Sequence, residues 1–260
     1  MLPFFLVSMV VLIICVKPPQ IFSHMESQVV YPEFRSSWWY YNAIIGTWMT
    51  LFIAVILYSN VYTIITYTIQ SWCCLALRHC LTALSPLLVR KISSESFITA
   101  RLSHFLLSLN EMIRLHSLLT ATITFIFWNF FIAPAIYIFF IKSPKGRKSF
   151  IEFNCSFKLI QLHCFNIIYA VLGTISVFPR RSFLYEDIWC SAVLNTAYML
   201  FYLLFLDRFG IHLYPVFSPR SKYAFFVMVV TWIFYYSLIQ AWNYAIQSET
   251  FQFDRVENKV

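Results

Sequence analysis

Polar side chains inside otherwise apolar blocks are the residues of this sequence best placed to do chemistry. They are Asn129, Asn166, Asn195, Thr196, Thr231, Ser237 and Gln240. An amide or hydroxyl among apolar neighbours costs free energy unless it is hydrogen-bonded, so such side chains usually face another helix or a water-filled path. In the last block, helical spacing places Ser237 and Gln240 on neighbouring turns. This face is expected either to line a wet path or to hydrogen-bond to another helix.

Motifs for covalent chemistry do not occur in the sequence. It contains no phosphate-binding loop, dinucleotide fingerprint, metalloprotease helix or nucleophile elbow. The seven cysteines are scattered without C-x-x-C spacing and are odd in number, so neither a metal site nor a disulfide framework is indicated. His79-Cys80 and His163-Cys164 are adjacent pairs of candidate ligands, for which polar packing is the simpler interpretation. We therefore predict no enzyme activity, no metal and no cofactor.

The composition indicates a membrane protein. Hydrophobic residues make up 60% of the chain and charged residues 12%, whereas soluble domains have about 45–50% and about 25%. The formal charge is +8, but the basic residues lie in short segments between apolar blocks and form no single basic face. Lipid phosphates and membrane topology explain them better than nucleic acid does.

Six apolar blocks predict six spans of a single membrane domain, since a span needs about 20 residues. They cover residues 1–16, 42–69, 118–141, 158–178, 188–206 and 223–244. The first block is either a short span or a cleaved signal peptide. Both interpretations put the next loop outside, with the aromatic cluster Trp38-Trp39-Tyr40-Tyr41 at the outer interface. With only four glycines, the helices are not expected to associate chiefly through small residues.

Segment 70–117 is expected to lie in the cytoplasm. Arg78 and His79 interrupt its apolar pattern, and a charged residue at the bilayer centre costs about 2.5–3.5 kcal/mol or more. The second block is therefore predicted to continue as one very long helix that leaves the membrane near Gln70. An amphipathic helix over 94–117 then leads into the third block. The expected fold is an all-α, polytopic membrane bundle with long helices that project into the cytoplasm.

Loop charge gives conflicting indications of orientation. Segment 70–117 carries five arginines and lysines against Glu95 and Glu111, which favours the cytoplasm. Alternation then puts the next loop outside, although that loop is also basic. One feature supports the outside placement: Asn154-Cys155-Ser156 is a glycosylation sequon, usable only on the lumenal side. Asn154 is therefore the candidate glycosylation site.

The region 48–140 resembles the insect gustatory and odorant receptor superfamily. The resemblance rests on Leu81 to Lys91, Arg101 to Glu111 and Leu115 to Asn129. The last helix of that family often carries Thr-Tyr, five hydrophobic residues and Gln-Phe. Here Thr231-Trp232 is followed by seven residues and then Gln240-Ala241. The chain would correspond to the C-terminal two-thirds of a seven-span receptor, either divergent or incomplete at its N-terminus.

The resemblance implies a plasma-membrane chemosensory receptor that acts as a ligand-gated cation channel. Its partners would be a small organic ligand, the lipid bilayer and further subunits in a homo- or heterotetramer, with no nucleic acid. The last helix would surround the pore, and a pocket would open outward between the preceding helices. The pore-lining candidates are Thr231, Tyr235, Ser237 and Gln240, and the ligand-binding candidates are Trp128 and Asn129.

Two other classes remain open. Leu206-Asp207-Arg208-Phe209 with Pro215 resembles the D-R-Y segment and following proline of rhodopsin-like receptors, which couple to G proteins. One span follows that segment here, where four should. The other class is a non-catalytic transporter subunit or membrane scaffold.

Overall fold

The computed structural model describes residues 30–94, 97–177, 182–211 and 224–248. These residues fall into two compact units, 30–177 and 182–248. The first predicted block, 1–16, lies outside the described residues. The described residues of both units are mainly helical.

The larger unit contains five helices. They are α1 (Ser37–Ser59), α2 (Tyr67–Ser94), α3 (97–140), α4 (Pro144–Asn154) and α5 (Phe157–Ile175). Helix α3 has two π-helical stretches, Phe127–Ile132 and Ile136–Phe140, on either side of Pro134. Proline has no N–H to donate, so wider turns beside it accommodate the lost hydrogen bond. Helix α3 therefore passes through Pro134 without a break.

Five helices among the described residues are long and apolar enough to cross a membrane. They are Ser37–Ser59, Tyr67–Ile92, Ile98–Phe140, Phe157–Ile175 and Tyr185–Leu206. The last of these is α6, and α7 (Ala224–Gln247) coincides with the sixth predicted block. The described residues are therefore helical and belong to a membrane-embedded protein, which confirms the predicted fold class at this level.

The prediction of one long helix from the second block into segment 70–117 is wrong. Helix α1 ends at Ser59, and Asn60 takes an extended conformation, with φ −160° and ψ 99°. The Asn60 side chain accepts a hydrogen bond from Tyr62 N at 3.1 Å, which starts the 3-10 turn Val61–Ile65. Asparagine offers the backbone this alternative partner and so favours a helix end over continuation. Helix α2 then returns along α1.

Helices α1 and α2 are antiparallel and closely packed. Trp39 Nε1 donates to Ala83 O at 2.8 Å, and further along α1 the rings of Phe52 and Trp72 lie 5.0 Å apart. A Cβ at Gly46 would lie 2.9 Å from Cys80 Sγ and 3.0 Å from Cys80 N. A side chain at position 46 would therefore push the two helices apart.

Helices α2 and α3 form a second antiparallel pair. Ser71 Oγ donates to Thr120 Oγ1 at 3.0 Å, and Asn110 Nδ2 donates to Thr82 Oγ1 at 3.0 Å. Helix α2 continues 11 residues beyond Ala83, from 83 to 94, or about 16 Å past the start of α1. The unit thus has a projecting hairpin, whose side of the membrane remains a prediction.

This arrangement is incompatible with two of the predicted side assignments taken together. The aromatic cluster Trp38 to Tyr41 contacts α2 near Ala83 and His79, so it lies at the same end of the unit as the charged hairpin. The sequence analysis placed the cluster outside and segment 70–117 in the cytoplasm. Because α2 returns antiparallel to α1, the hairpin lies at the same end of the bundle as the cluster. The two segments therefore cannot lie on opposite sides of the membrane.

Helix α5 completes a four-helix bundle with α1, α2 and α3. It is antiparallel to α3: Asn166 Nδ2 donates to Ala121 O at 3.4 Å, and Asn129 Nδ2 donates to His163 O at 3.0 Å. Helix α3 contributes fully buried residues to the core, namely Leu115, Leu118, Leu119 and Ala121. The contact of Asn166 is thereby removed from lipid and water, and that of Asn129 is half-buried.

The smaller unit pairs α6 with α7. Asp187 Oδ2 accepts from Leu184 N at 2.8 Å and caps the start of α6. Two contacts show that the helices are antiparallel: Phe183 N donates to Asn243 Oδ1 at 2.7 Å, and Tyr235 OH donates to Ser191 Oγ at 2.5 Å. The buried face of α7 therefore carries Tyr235.

Candidate functional site

A buried hydrogen-bond cluster centred on Asn42 links three helices of the larger unit. Asn42 is completely buried, and its Oδ1 lies 2.7 Å from His79 Nδ1. Its Nδ2 donates to Ser176 Oγ at 3.0 Å and to Trp38 O at 2.8 Å. Because the amide nitrogen is the donor in both contacts, Oδ1 accepts and His79 Nδ1 carries the shared proton. The cluster fixes α1, α2 and the end of α5 relative to one another.

Three charged residues, Arg78, Glu111 and Arg114, are buried at or near this level of the bundle. Arg78 Nη1 donates to Thr174 Oγ1 at 3.0 Å, which joins α2 to α5. The segment before α1 is also tied in, since Tyr31 OH donates to Glu111 Oε1 at 3.4 Å. Burial, followed by the nearby Glu111 carboxylate, raises the pKa of Tyr31 above its ordinary value.

The position of these charges explains how apolar helices tolerate them. Thr174 is one residue from the end of α5, and Asn42 lies five residues after the start of α1, or about 8 Å along the axis. The charged layer is therefore near one end of α1 and of α5, at the level of the aromatic cluster, whereas Arg78 lies near the middle of α2, which extends beyond that end. A buried charge costs less there than at the bilayer centre.

Sequence reasoning missed this layer. Arg78 and His79 were expected on a water-exposed cytoplasmic helix, but they are 2% and 1% exposed. The available signal was the segment 67–92, which is apolar enough to be a span even though it contains Arg78 and His79. Asn42 gave no signal of its own, because it stands at the edge of an apolar block.

A second polar cluster brings together residues that the sequence had singled out separately. Trp128 stacks on His163, with ring centroids 4.4 Å apart and planes at 14°, and its Nε1 donates to Asn154 Oδ1 at 3.0 Å. Asn129 Nδ2 donates to His163 O at 3.0 Å, and Cys164 Sγ donates to Asn129 Oδ1 at 3.8 Å. Both predicted ligand-binding candidates and the predicted glycosylation site therefore meet where α3, α4 and α5 converge.

Both α3 and α5 are π-helical where they meet at this junction. Trp128 and Asn129 lie in Phe127–Ile132, and His163 and Cys164 lie in Gln161–Phe165. A π turn leaves backbone carbonyls available to other donors, and such turns are frequent at functional sites. Here the His163 carbonyl accepts from Asn129 Nδ2. The junction thus combines an aromatic face, amide groups and a thiol in one place.

The sequon is part of this packing. Asn154 Nδ2 donates to Phe150 O at 2.9 Å while its Oδ1 accepts from Trp128. Ser156 Oγ accepts from Leu159 N at 3.5 Å, at the start of α5. Both polar side chains of the sequon are engaged in the fold. Whether Asn154 carries a glycan stays a prediction, and attachment would have to precede the packing of α4.

Replacing Trp128 with phenylalanine should loosen α4 selectively. The ring still stacks on His163, but the hydrogen bond to Asn154 is lost, at a cost of about 1 kcal/mol. We expect faster amide hydrogen exchange in α4, measured by mass spectrometry, and little change in α2. Phe127→Leu, one residue away, provides the matched control. Equal exchange in wild type and Trp128→Phe would show that this bond does not hold α4.

The four pore-lining candidates lie on two faces of α7. Tyr235 is buried against α6 by its bond to Ser191, and Thr231, one turn earlier, is half-buried. Ser237 and Gln240 are exposed, and Ser237 Oγ donates to Ile233 O at 2.9 Å within the helix. Within the smaller unit, Ser237 and Gln240 therefore share a face that α6 does not cover.

Within the described ranges, no three His, Cys, Asp or Glu side chains lie close enough to hold a metal ion. Asp207, at the end of α6, is buried and Arg208 is exposed. Pro215, which belongs to the rhodopsin-like resemblance, lies outside the described residues. Comparison of the chain with protein-family models, curated proteins and solved structures finds no match.

Proposed function

We propose that this chain is a chemosensory receptor subunit of the insect gustatory and odorant type, which assembles as a tetramer in the plasma membrane. It opens a cation path when a small organic molecule binds. The observation that carries this proposal is the polar face of α7, formed by Ser237 and Gln240. The resemblance over 48–140 supplies the receptor class.

Helix α7 has the dimensions of a pore helix. Its 24 residues extend about 36 Å, which exceeds the roughly 30 Å hydrocarbon core. Gln240 and Ser237 lie on the uncovered side of α7 together with the apolar Ile233, which is 62% exposed. A glutamine amide that faces lipid tails loses its hydrogen bonds to water. Such a face is stable when several copies of α7 surround a water-filled path and the face points into it. There, amides and hydroxyls can replace part of an ion's hydration shell.

The junction of α3, α4 and α5 is the proposed ligand site. Small organic ligands bind mainly through aromatic faces and a few placed polar groups. Trp128 and His163 supply the aromatic faces, and Asn129 supplies an amide beside them. Because α3 joins this junction to the projecting hairpin, ligand binding there has a continuous helix through which to act on other subunits.

Gln240→Leu should reduce ion permeation strongly if the α7 face lines the path. The substitution keeps the side-chain size and removes the amide that would contact the ions. The measurement is whole-cell current during application of a panel of small organic ligands, with surface expression quantified in the same cells. We expect at least a tenfold smaller current per surface receptor.

Leu238→Met is the matched control, since it stays apolar and is half-buried on the opposite side of α7 from Gln240. It should leave the current unchanged. Equal currents for wild type and Gln240→Leu would place the path elsewhere. A chain that is monomeric by single-particle imaging and passes no current with any ligand would favour a scaffold over a channel.

A further inference from the structure

We propose that α4 is a membrane-surface helix that binds anionic lipid headgroups through Lys142, Lys145 and Lys148. The proposal is independent of channel activity and of the leaflet that α4 faces. It rests on the position of α4, on how α4 is held, and on the residues it leaves exposed.

The position of α4 is set by the two spans that it joins. Helix α3 ends at Phe140, and α5 begins at Phe157. The last residues of α3 are largely exposed, with Phe139 at 65% and Phe140 at 77%. Side chains this apolar belong in the lipid. The intervening helix therefore begins where the hydrocarbon ends, at the depth of the headgroups.

Helix α4 is held against the bundle at both ends. At its start, Ser143 Oγ accepts from Gly146 N at 3.1 Å, and Arg147 Nε donates to Ile141 O at 3.2 Å. The Arg147 guanidinium also lies 5.2 Å from the centre of the Tyr137 ring. At its end, Asn154 accepts from Trp128. These contacts fix which side of α4 faces outward.

The outward side carries three lysines against one acid, Glu152, which is exposed one turn after Lys148. Lys145 and Lys148 are one turn apart, Lys142 directly precedes the helix, and all three are exposed. None forms an ion pair with another described residue. Ile151 and Phe153 flank the lysines and are 50% and 53% exposed. A short helix with lysines on its polar side and large apolar residues beside them is typical of membrane-surface helices.

Charge complementarity and the apolar flanks together favour lipid over other anions. A free phosphate would satisfy the lysines and leave Ile151 and Phe153 in water. An anionic lipid offers the phosphate to the lysines and acyl chains to the flanking residues. Each lysine near an anionic surface contributes about a fivefold gain in affinity.

The test uses the full-length chain purified in a neutral detergent. Dioctanoyl phosphatidylglycerol and dioctanoyl phosphatidylcholine are titrated separately, and bound lipid is counted by native mass spectrometry. We expect tighter binding of the phosphatidylglycerol, weakened by added salt. Lys145→Gln with Lys148→Gln should reduce its affinity about thirtyfold. Lys145→Arg with Lys148→Arg should retain it.

Arg90→Gln with Lys91→Gln is the matched control, because it removes the same charge from the projecting hairpin. It should change the affinity less than threefold. Equal binding of the two lipids by wild type, or the same loss in the control, would overturn the proposal. Displacement of the phosphatidylglycerol by an equal concentration of inorganic phosphate would also overturn it, since the site would then bind free anions. If the double glutamine variant fails to fold, the comparison of the two lipids on wild type still decides.

Discussion

Gly173→Leu is expected to abolish folding of the larger unit. A Cβ at Gly173 would lie 2.7 Å from His79 Cε1 and 3.1 Å from its Nε2, closer than real contacts allow. The His79 ring has no room to withdraw, because it is 1% exposed, bonds to Asn42 and packs edge-on to Tyr41 at 5.6 Å. Overpacking of this kind costs about 1–3 kcal/mol even for small additions. Leucine adds three more carbon atoms than alanine.

Thermal unfolding in detergent is measured by heating the protein and monitoring the remaining monodisperse fraction by fluorescence-detected size-exclusion chromatography. Gly173→Ala should lower the melting temperature, and Gly173→Leu should yield aggregated protein. Ile168→Leu, exposed on the same helix, is the matched control and should behave as wild type. A monodisperse Gly173→Leu variant with an unchanged melting temperature would show that α5 does not approach His79 this closely.

Asn42→Leu is expected to reduce the free energy of unfolding by about 2–4 kcal/mol. Leucine has a similar size, so the loss comes from hydrogen bonding. The variant removes the bonds to His79, Ser176 and Trp38 O. Ser176 retains Gly173 O as an acceptor at 2.9 Å, but His79 Nδ1 is left buried without its partner. An orphaned buried donor costs about 1–3 kcal/mol.

A double-mutant cycle tests this explanation. Replacing His79 with leucine in the Asn42→Leu background removes the orphaned donor, and we expect part of the stability to return. Thr47→Val on the exposed side of α1 is the control for loss of a polar group. If the two substitutions reduce stability additively, the contact between Asn42 and His79 contributes nothing specific.

Helix existence was predictable wherever it depends on a local run of apolar residues. Block 188–206 corresponds to α6 at Tyr185–Leu206, block 158–178 to α5 at Phe157–Ile175, and block 223–244 to α7 at Ala224–Gln247. Each block has about the length that a bilayer requires, and polar residues mark its ends. These properties are fixed by neighbours in the sequence.

The path of the chain between helices was not predictable in the same way. The turn after α1 depends on Asn60, whose side chain replaces a helical partner, and one asparagine in an apolar block is a weak signal. The low glycine content gave no indication of two close helix contacts. Gly46 and Gly173 both lie where α1 and α5 approach α2, so two small residues matter more than their number suggests.

The residues of the candidate site were recognisable from the sequence, but their assembly was not. Trp128, Asn129, Asn154 and His163 each stood out as a polar or aromatic residue near or within an apolar block, yet the contacts among them join positions 26 to 35 residues apart. Burial of Arg78 and His79 likewise depends on α5, nearly a hundred residues later. Sequence alone determined that this chain enters the membrane as helices, because backbone groups in lipid must be hydrogen-bonded inside the protein and a long apolar helix achieves this within its own segment. Only the tertiary structure decided which polar side chains meet, because that depends on how the helices fold back on one another.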